Sequence, residues 1–150
     1  MQEQRSSDRI LVGVDGSASS VEALRYAARI ADAFGAPLEV LTTWTFPPIA
    51  GAYVIDGWSP EEDARSAQDA AIEEAFDGEP PAGLRRAVLA GPAARTLIEE
   101  SRRAGMLVLG SRGHGGFAGL LLGSVSATCA EHARCPVLVV RSGGDRPEGA

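Results

Sequence analysis

Five short apolar runs punctuate the chain, at Ile10–Asp15, Leu38–Trp44, Arg86–Ala90, Met106–Gly110 and Val137–Arg141. Most lack strict polar alternation, the pattern of strands buried on both faces of a parallel sheet. Helical patterns lie between them. Ser19 and Glu22 read as a capping box, followed by Leu24, Ala27, Ala28 and Ala31 at helical spacing up to Gly35. Ser59, Pro60 and Glu62 give a stronger start: cap, first-turn proline and third-position glutamate, for a helix running to about Phe76. Gly91 and Pro92 open a third helix with Ala94, Leu97, Ile98 and Ser101 on one face, closed by Gly105. A fourth begins near Ser124 and stops before Cys135, because the residue ahead of Pro136 avoids the helical region. The order β-α-β-α-β-α-β-α-β predicts one α/β domain over 10–141, a parallel sheet with helices on both faces. Residues 1–9 and 142–150 read as disordered tails, and Phe46–Trp58 as one long connection.

Composition then narrows the chemistry. The 150 residues carry a formal charge of −6, and all fourteen basic residues are arginine. A Walker-type phosphate loop, a Schiff-base enzyme and a kinase with a strand-borne lysine are therefore excluded. The acidic balance argues against sequence-independent nucleic-acid binding. No apolar stretch approaches the ~20 residues of a membrane span. The polar N-terminus lacks the apolar core of a signal peptide, so the expectation is a cytoplasmic protein. Cys129 and Cys135 read as reduced, buried apolar residues.

Ligands of open α/β sheets bind beyond the carboxyl ends of the strands, where strand order reverses. Unusual residues follow two of the runs. The first ends in Asp15, Gly16 and Ser17. The fourth opens a stretch with six glycines between Gly110 and Gly123, followed by Ser124, Val125 and Ser126 at a helix start. Glycines let a ligand approach the main chain closely, and free N–H groups at the helix start favour a phosphate. The hydroxyls of Ser124 and Ser126 can add hydrogen bonds. Arg112 is the candidate cation beside the phosphates, with His114 within the same stretch. Asp15, across the crevice, suits a ribose hydroxyl or a bound metal.

The spacing Gly110-x2-Gly113-x9-Gly123-Ser124 resembles the ATP-binding signature of the universal stress protein family. The likeness runs from about Ile10 to Arg141 and includes the opening Ile-Leu-Val-Gly-Val-Asp-Gly-Ser and the closing Cys-Pro-Val-Leu-Val-Val-Arg. The resemblance implies a five-stranded sheet of order 3-2-1-4-5, Rossmann-like and similar to the adenine nucleotide alpha hydrolases. It places Asp15 at the ribose or adenine side, with Gly13 and Val14 beside it, and Thr43 at the adenine pocket. Leu109 and Gly110 would border the nucleoside, Gly113 the phosphates, and Gly123, Ser124, Val125 and Ser126 the triphosphate. It further implies ATP with Mg2+ or Mn2+, a homodimer through Val137–Val140, and a stress-response or signalling factor rather than an enzyme. No catalytic residue is assigned. The alternatives are a slow metal-dependent ATP hydrolase or self-phosphorylating enzyme, and a dimeric module preferring AMP, cyclic AMP or no nucleotide.

Two further motifs carry less. Ser142, Gly143, Gly144 and Asp145 resemble a pyrophosphate-binding loop, but follow the last strand instead of the first. His114 and His132 have no partner at metal-ligand spacing, and His132 fits a helix C-terminus.

Overall fold

A computed structural model describes residues 8–46, 57–112 and 122–141. Nine elements alternate strictly: β1 (Ile10–Gly13), α1 (Ala18–Phe34), β2 (Leu38–Trp44), α2 (Pro60–Phe76), β3 (Arg85–Ala90), α3 (Ala93–Ser101), β4 (Met106–Gly110), α4 (Ser124–His132) and β5 (Val137–Val140). The five strands are parallel in the order β3-β2-β1-β4-β5.

The apolar runs are continuous because both sheet faces are covered. Ile10, Val12, Leu38, Val40 and Val108 enter one core, beneath α1 and α2. Leu11, Leu41, Leu107 and Leu109 enter the other, beneath α3 and α4. Successive side chains of a strand point to opposite faces, so an alternating sequence would have left one core polar.

Helix α1 lays Val21, Leu24, Ala27 and Ala31 onto the first core. It stops at Gly35, whose left-handed φ of 62° lets its N–H reach the Ala31 and Asp32 carbonyls. Its start differs from the sequence expectation. The cap is Ser17, which accepts from the Ser20 N–H, and not a box of Ser19 with Glu22. The reason is tertiary: Ser19 is buried against β4, while Glu22 pairs with Arg25 on the surface. Helix α2 starts as expected, with Ser59 accepting from Glu62 N–H and Pro60 in the first turn. β1 ends two residues early, because the Val14 carbonyl is taken by the Thr42 hydroxyl at 2.8 Å and Gly16 then turns the chain at φ 87°.

Two buried polar groups stitch the layers. Gln68 of α2 donates from Nε2 to the Ala87 carbonyl at 2.9 Å and to Thr42 Oγ1 at 3.1 Å, tying β2 to β3 from above. Arg9, assigned from sequence to the N-terminal tail, is buried. Its guanidinium pairs with Glu39 and, at 2.8 Å, with Glu100, and donates to the Arg103 carbonyl at 2.9 Å. A buried cation is tolerated when its donors are matched in this way. Burial by itself would push the Glu100 carboxyl up, but the hydrogen bond from Arg9 and the charges of Arg103 and Arg9 hold it below the ordinary value. A depressed folded-state pKa stabilises the fold above the unfolded value and ceases to do so as pH falls through the folded one. Glu100→Gln should therefore lower the urea midpoint at pH 7, with the gap from wild type narrowing once pH drops below about 4. A gap independent of pH would contradict this assignment.

Cys129 and Cys135 form no disulfide, and burial pushes the Cys129 thiol up to about 11. No helix among the described residues is long and apolar enough to cross a membrane.

Candidate functional site

Strand order reverses between β1 and β4, whose loops leave in opposite directions. A shallow, solvent-open cleft with a cavity volume of about 90 Å3 lies at the carboxyl ends of these strands. Sequence reasoning placed Gly13, Val14, Asp15, Thr43, Leu109, Gly110, Arg112, Val125 and Ser126 here, and all nine line the cleft. Gly123 and Ser124 begin the adjoining helix without lining it. Gly113 and His114 lie outside the described residues. So do most of the Phe46–Trp58 connection and the segments 1–7 and 142–150.

One wall is apolar. Leu41 and Thr43 project from the same face of β2, opposite Leu97 and Ala93 of α3 and beside Leu109 of β4. Sequence reasoning missed Ser20, Leu41, Ala93 and Leu97. Leu41 was signalled by its two-residue spacing from Thr43. The α3 residues were not, because their place depends on where the crossover lands.

The rim near β1 is polar. Asp15 is exposed, and its Oδ1 accepts the Ser17 N–H at 2.9 Å, an Asx turn. Ser20 Oγ donates to the Ser17 carbonyl at 2.9 Å and accepts the Asp15 N–H at 3.3 Å. This rim is thereby held to the first turn of α1.

The far rim is the start of α4. Its cap residue Gly123 has φ −69° and ψ 167°, which any residue can adopt, so a positive φ is not the reason for glycine there. Its cap residue makes no side-chain cap hydrogen bond, as is also true of Pro92 at α3, whereas Ser17 and Ser59 cap α1 and α2. The orphan N–H groups of a first turn are good anion ligands, reinforced by the helix dipole. Ser126 is buried and donates its hydroxyl proton to the Gly110 carbonyl at 2.5 Å. That proton fastens α4 to β4. Gly123 N–H bonds the Ser111 carbonyl at 2.6 Å, and Ser111 N–H bonds the Val140 carbonyl at 2.9 Å. The helix start is thus fixed to the ends of β4 and β5.

Arg112 is the one cation among the described cleft-lining residues. The described residues contain no group of three or more His, Cys, Asp or Glu able to enclose a metal ion. His132 is the last residue of α4 and is exposed.

A model of the universal stress protein family matches residues 6–141. The chain is 37 % identical over 136 residues to the universal stress protein Rv2623 of Mycobacterium tuberculosis, covering 88 % of this chain and 44 % of that protein. It is 36 % identical over 140 residues to a universal stress protein of Mycolicibacterium smegmatis, covering 88 % and 45 %. The chain spans about half the length of these curated relatives. Among solved structures it is similar to a universal stress protein crystallised in complex with cyclic AMP. That likeness has a TM-score of 0.66 and 27 % identity, covering 90 % of this chain and 97 % of the other. A universal stress protein from Archaeoglobus fulgidus shares the fold, with a TM-score of 0.65 at 22 % identity over 89 % and 98 % of the two chains. With a family model matched over residues 6–141 and a relative 37 % identical over 88 % of its length, this chain belongs to the universal stress protein family.

Proposed function

We propose that the chain binds ATP in the cleft between β1 and β4 and acts as a nucleotide-dependent stress-response factor. The observation that carries this reading is the uncapped start of α4 at the strand-order switch point, opposite an apolar wall. An adenine ring suits the wall of Leu41, Thr43, Leu97 and Leu109. A ribose suits the Asp15 rim. Phosphates suit the N–H groups of Ser124, Val125 and Ser126 together with Arg112, and none of these groups requires lysine. A divalent ion would ride on the phosphates, with Asp15 the nearest carboxylate available on the cleft rim. The reading is one of binding, since the cleft offers phosphate holders and, among its described lining residues, a single carboxylate, Asp15, whose Oδ1 accepts the Ser17 N–H.

The relative crystallised with cyclic AMP supports a second reading, in which the favoured ligand carries a single phosphate. Titration calorimetry with ATP, AMP and cyclic AMP separates the two. ATP is expected to bind most tightly, through its extra phosphate contacts. Tighter cyclic AMP would select the second reading, and no heat with any of the three would remove both.

We further propose a homodimer through the β5 edge. Val137–Val140 is an edge strand whose four apolar side chains are only half-buried in the single chain, a surface that a second copy would cover. Sedimentation of wild type against a Leu138→Lys variant tests it.

A further inference from the structure

The end of β4 is gripped from two sides. On the α4 side, Ser126 Oγ holds the Gly110 carbonyl and Gly123 N–H holds the Ser111 carbonyl. On the α1 side the contact is closer than a methyl group allows. A Cβ at Gly110 would lie 2.4 Å from Ser19 Oγ, 2.6 Å from its carbonyl carbon and 2.7 Å from its carbonyl oxygen. Two residues on, the Arg112 N–H donates to the same Ser19 Oγ at 3.3 Å, and the Arg112 carbonyl accepts from Ser17 Oγ at 3.4 Å. Ser19 is buried and does not line the cleft. Its hydroxyl therefore acts on the polypeptide and not on a ligand.

The geometry points to Ser19 as a positioning residue that sets where Arg112 meets the phosphate end of the cleft. This rests on the nucleotide reading above and deepens it by naming how the cation is held. Gly110 touches the first turn of α1, and the Ser19 hydroxyl then catches the next amide but one. That contact fixes the direction in which the chain leaves the sheet. A guanidinium on a long side chain reaches its target with useful affinity only when its backbone is held, because ordering it otherwise costs conformational entropy. Without the Ser19 oxygen, the Arg112 N–H loses its anchor on the α1 side, whereas the apolar wall that would take the base lies on β2 and α3, with Leu109 of β4 held in the sheet by its pairing with Val139.

The effect should therefore fall on the phosphates and spare the nucleoside. Calorimetry of wild type and Ser19→Ala with ATP and with adenosine reads this directly. ATP affinity is expected to fall about tenfold, as for a contact to a charged group, with adenosine affinity unchanged within about twofold. Amide hydrogen exchange at Arg112 should accelerate in the variant without ligand. Should Ser19→Ala lose the fold, Ser19→Cys keeps the size with a weak acceptor and replaces it. Unchanged ATP affinity, or a parallel loss of ATP and adenosine, overturns the positioning role. A wild-type chain that binds neither overturns the nucleotide reading, and the inference with it.

Discussion

Replacing Ser124 by proline is expected to lower ATP affinity about 10- to 100-fold while leaving adenosine affinity and the fold intact, since a hydrogen bond to a charged group is worth about 1.5–3 kcal/mol. Ser124 is the first residue of α4. Proline is at home in that position, where its missing N–H removes no intrahelical bond. The residue before a proline must be extended, and Gly123 already is, at φ −69° and ψ 167°. Ala127 N–H continues to bond the Gly123 carbonyl, so the first helical turn closes as before. The substitution thus deletes one N–H and one hydroxyl from the proposed phosphate site and little else. Ser124→Ala separates the two, since it keeps the N–H. Calorimetry on both variants, with a thermal unfolding scan for each, decides the matter. If Ser124→Pro binds ATP like wild type, the α4 start is not the phosphate site.

Gly110→Ala is expected to destabilise the chain by about 2 kcal/mol or more, an overpacking cost, lowering Tm by about 4–8 °C. The added methyl would meet backbone atoms of Ser19 at 2.6 and 2.7 Å, and these cannot rotate away. Either α1 lifts from the sheet or the end of β4 bends, and both disturb the cleft. Gly13 is the internal comparison. A methyl there meets only the tips of Leu109 at 2.7 Å and Leu97 at 3.2 Å, which can change rotamer. Gly13→Ala should accordingly cost less than Gly110→Ala. Thermal unfolding of the two variants measures the difference. Equal stability of Gly110→Ala and wild type would mean that α1 is free to move off β4.

The Gly110 result bears on how the signature glycines are understood. In sequence they form one spaced set, implying one shared reason. In the fold, Gly110 is small because a helix sits against it, and Gly123 has an ordinary backbone conformation and a bonded N–H. Ser126 likewise belongs to the phosphate set by sequence, yet its hydroxyl proton goes to the Gly110 carbonyl.

Much of the molecule was legible before folding was considered. Apolar runs of five to seven residues marked the five strands, most openly β1 and β4, where burial on both faces removes polar alternation. Caps and breakers such as Ser59, Pro60, Gly35 and Pro136 set helix ends through local backbone chemistry. These signals act within a few residues, so sequence carries them openly. The strand-end rule pointed to Asp15 and to the stretch opening at Gly110, whereas Gly13, Val14, Thr43 and Leu109 came from the family resemblance.

Contacts between distant segments were decided only by the tertiary structure. Ser19 could not be told from a helix cap until β4 was placed against α1, 93 residues away in sequence from the Arg112 amide it holds. Arg9 looked like a polar tail residue until Glu39 and Glu100 closed around it. Gln68 looked like a surface position on a polar helix until its amide met the open carbonyls of β2 and β3. In each case a polar group is buried because a partner arrives from elsewhere in the chain. Hydrophobic periodicity records which way a residue faces, and it holds no record of what will be waiting there.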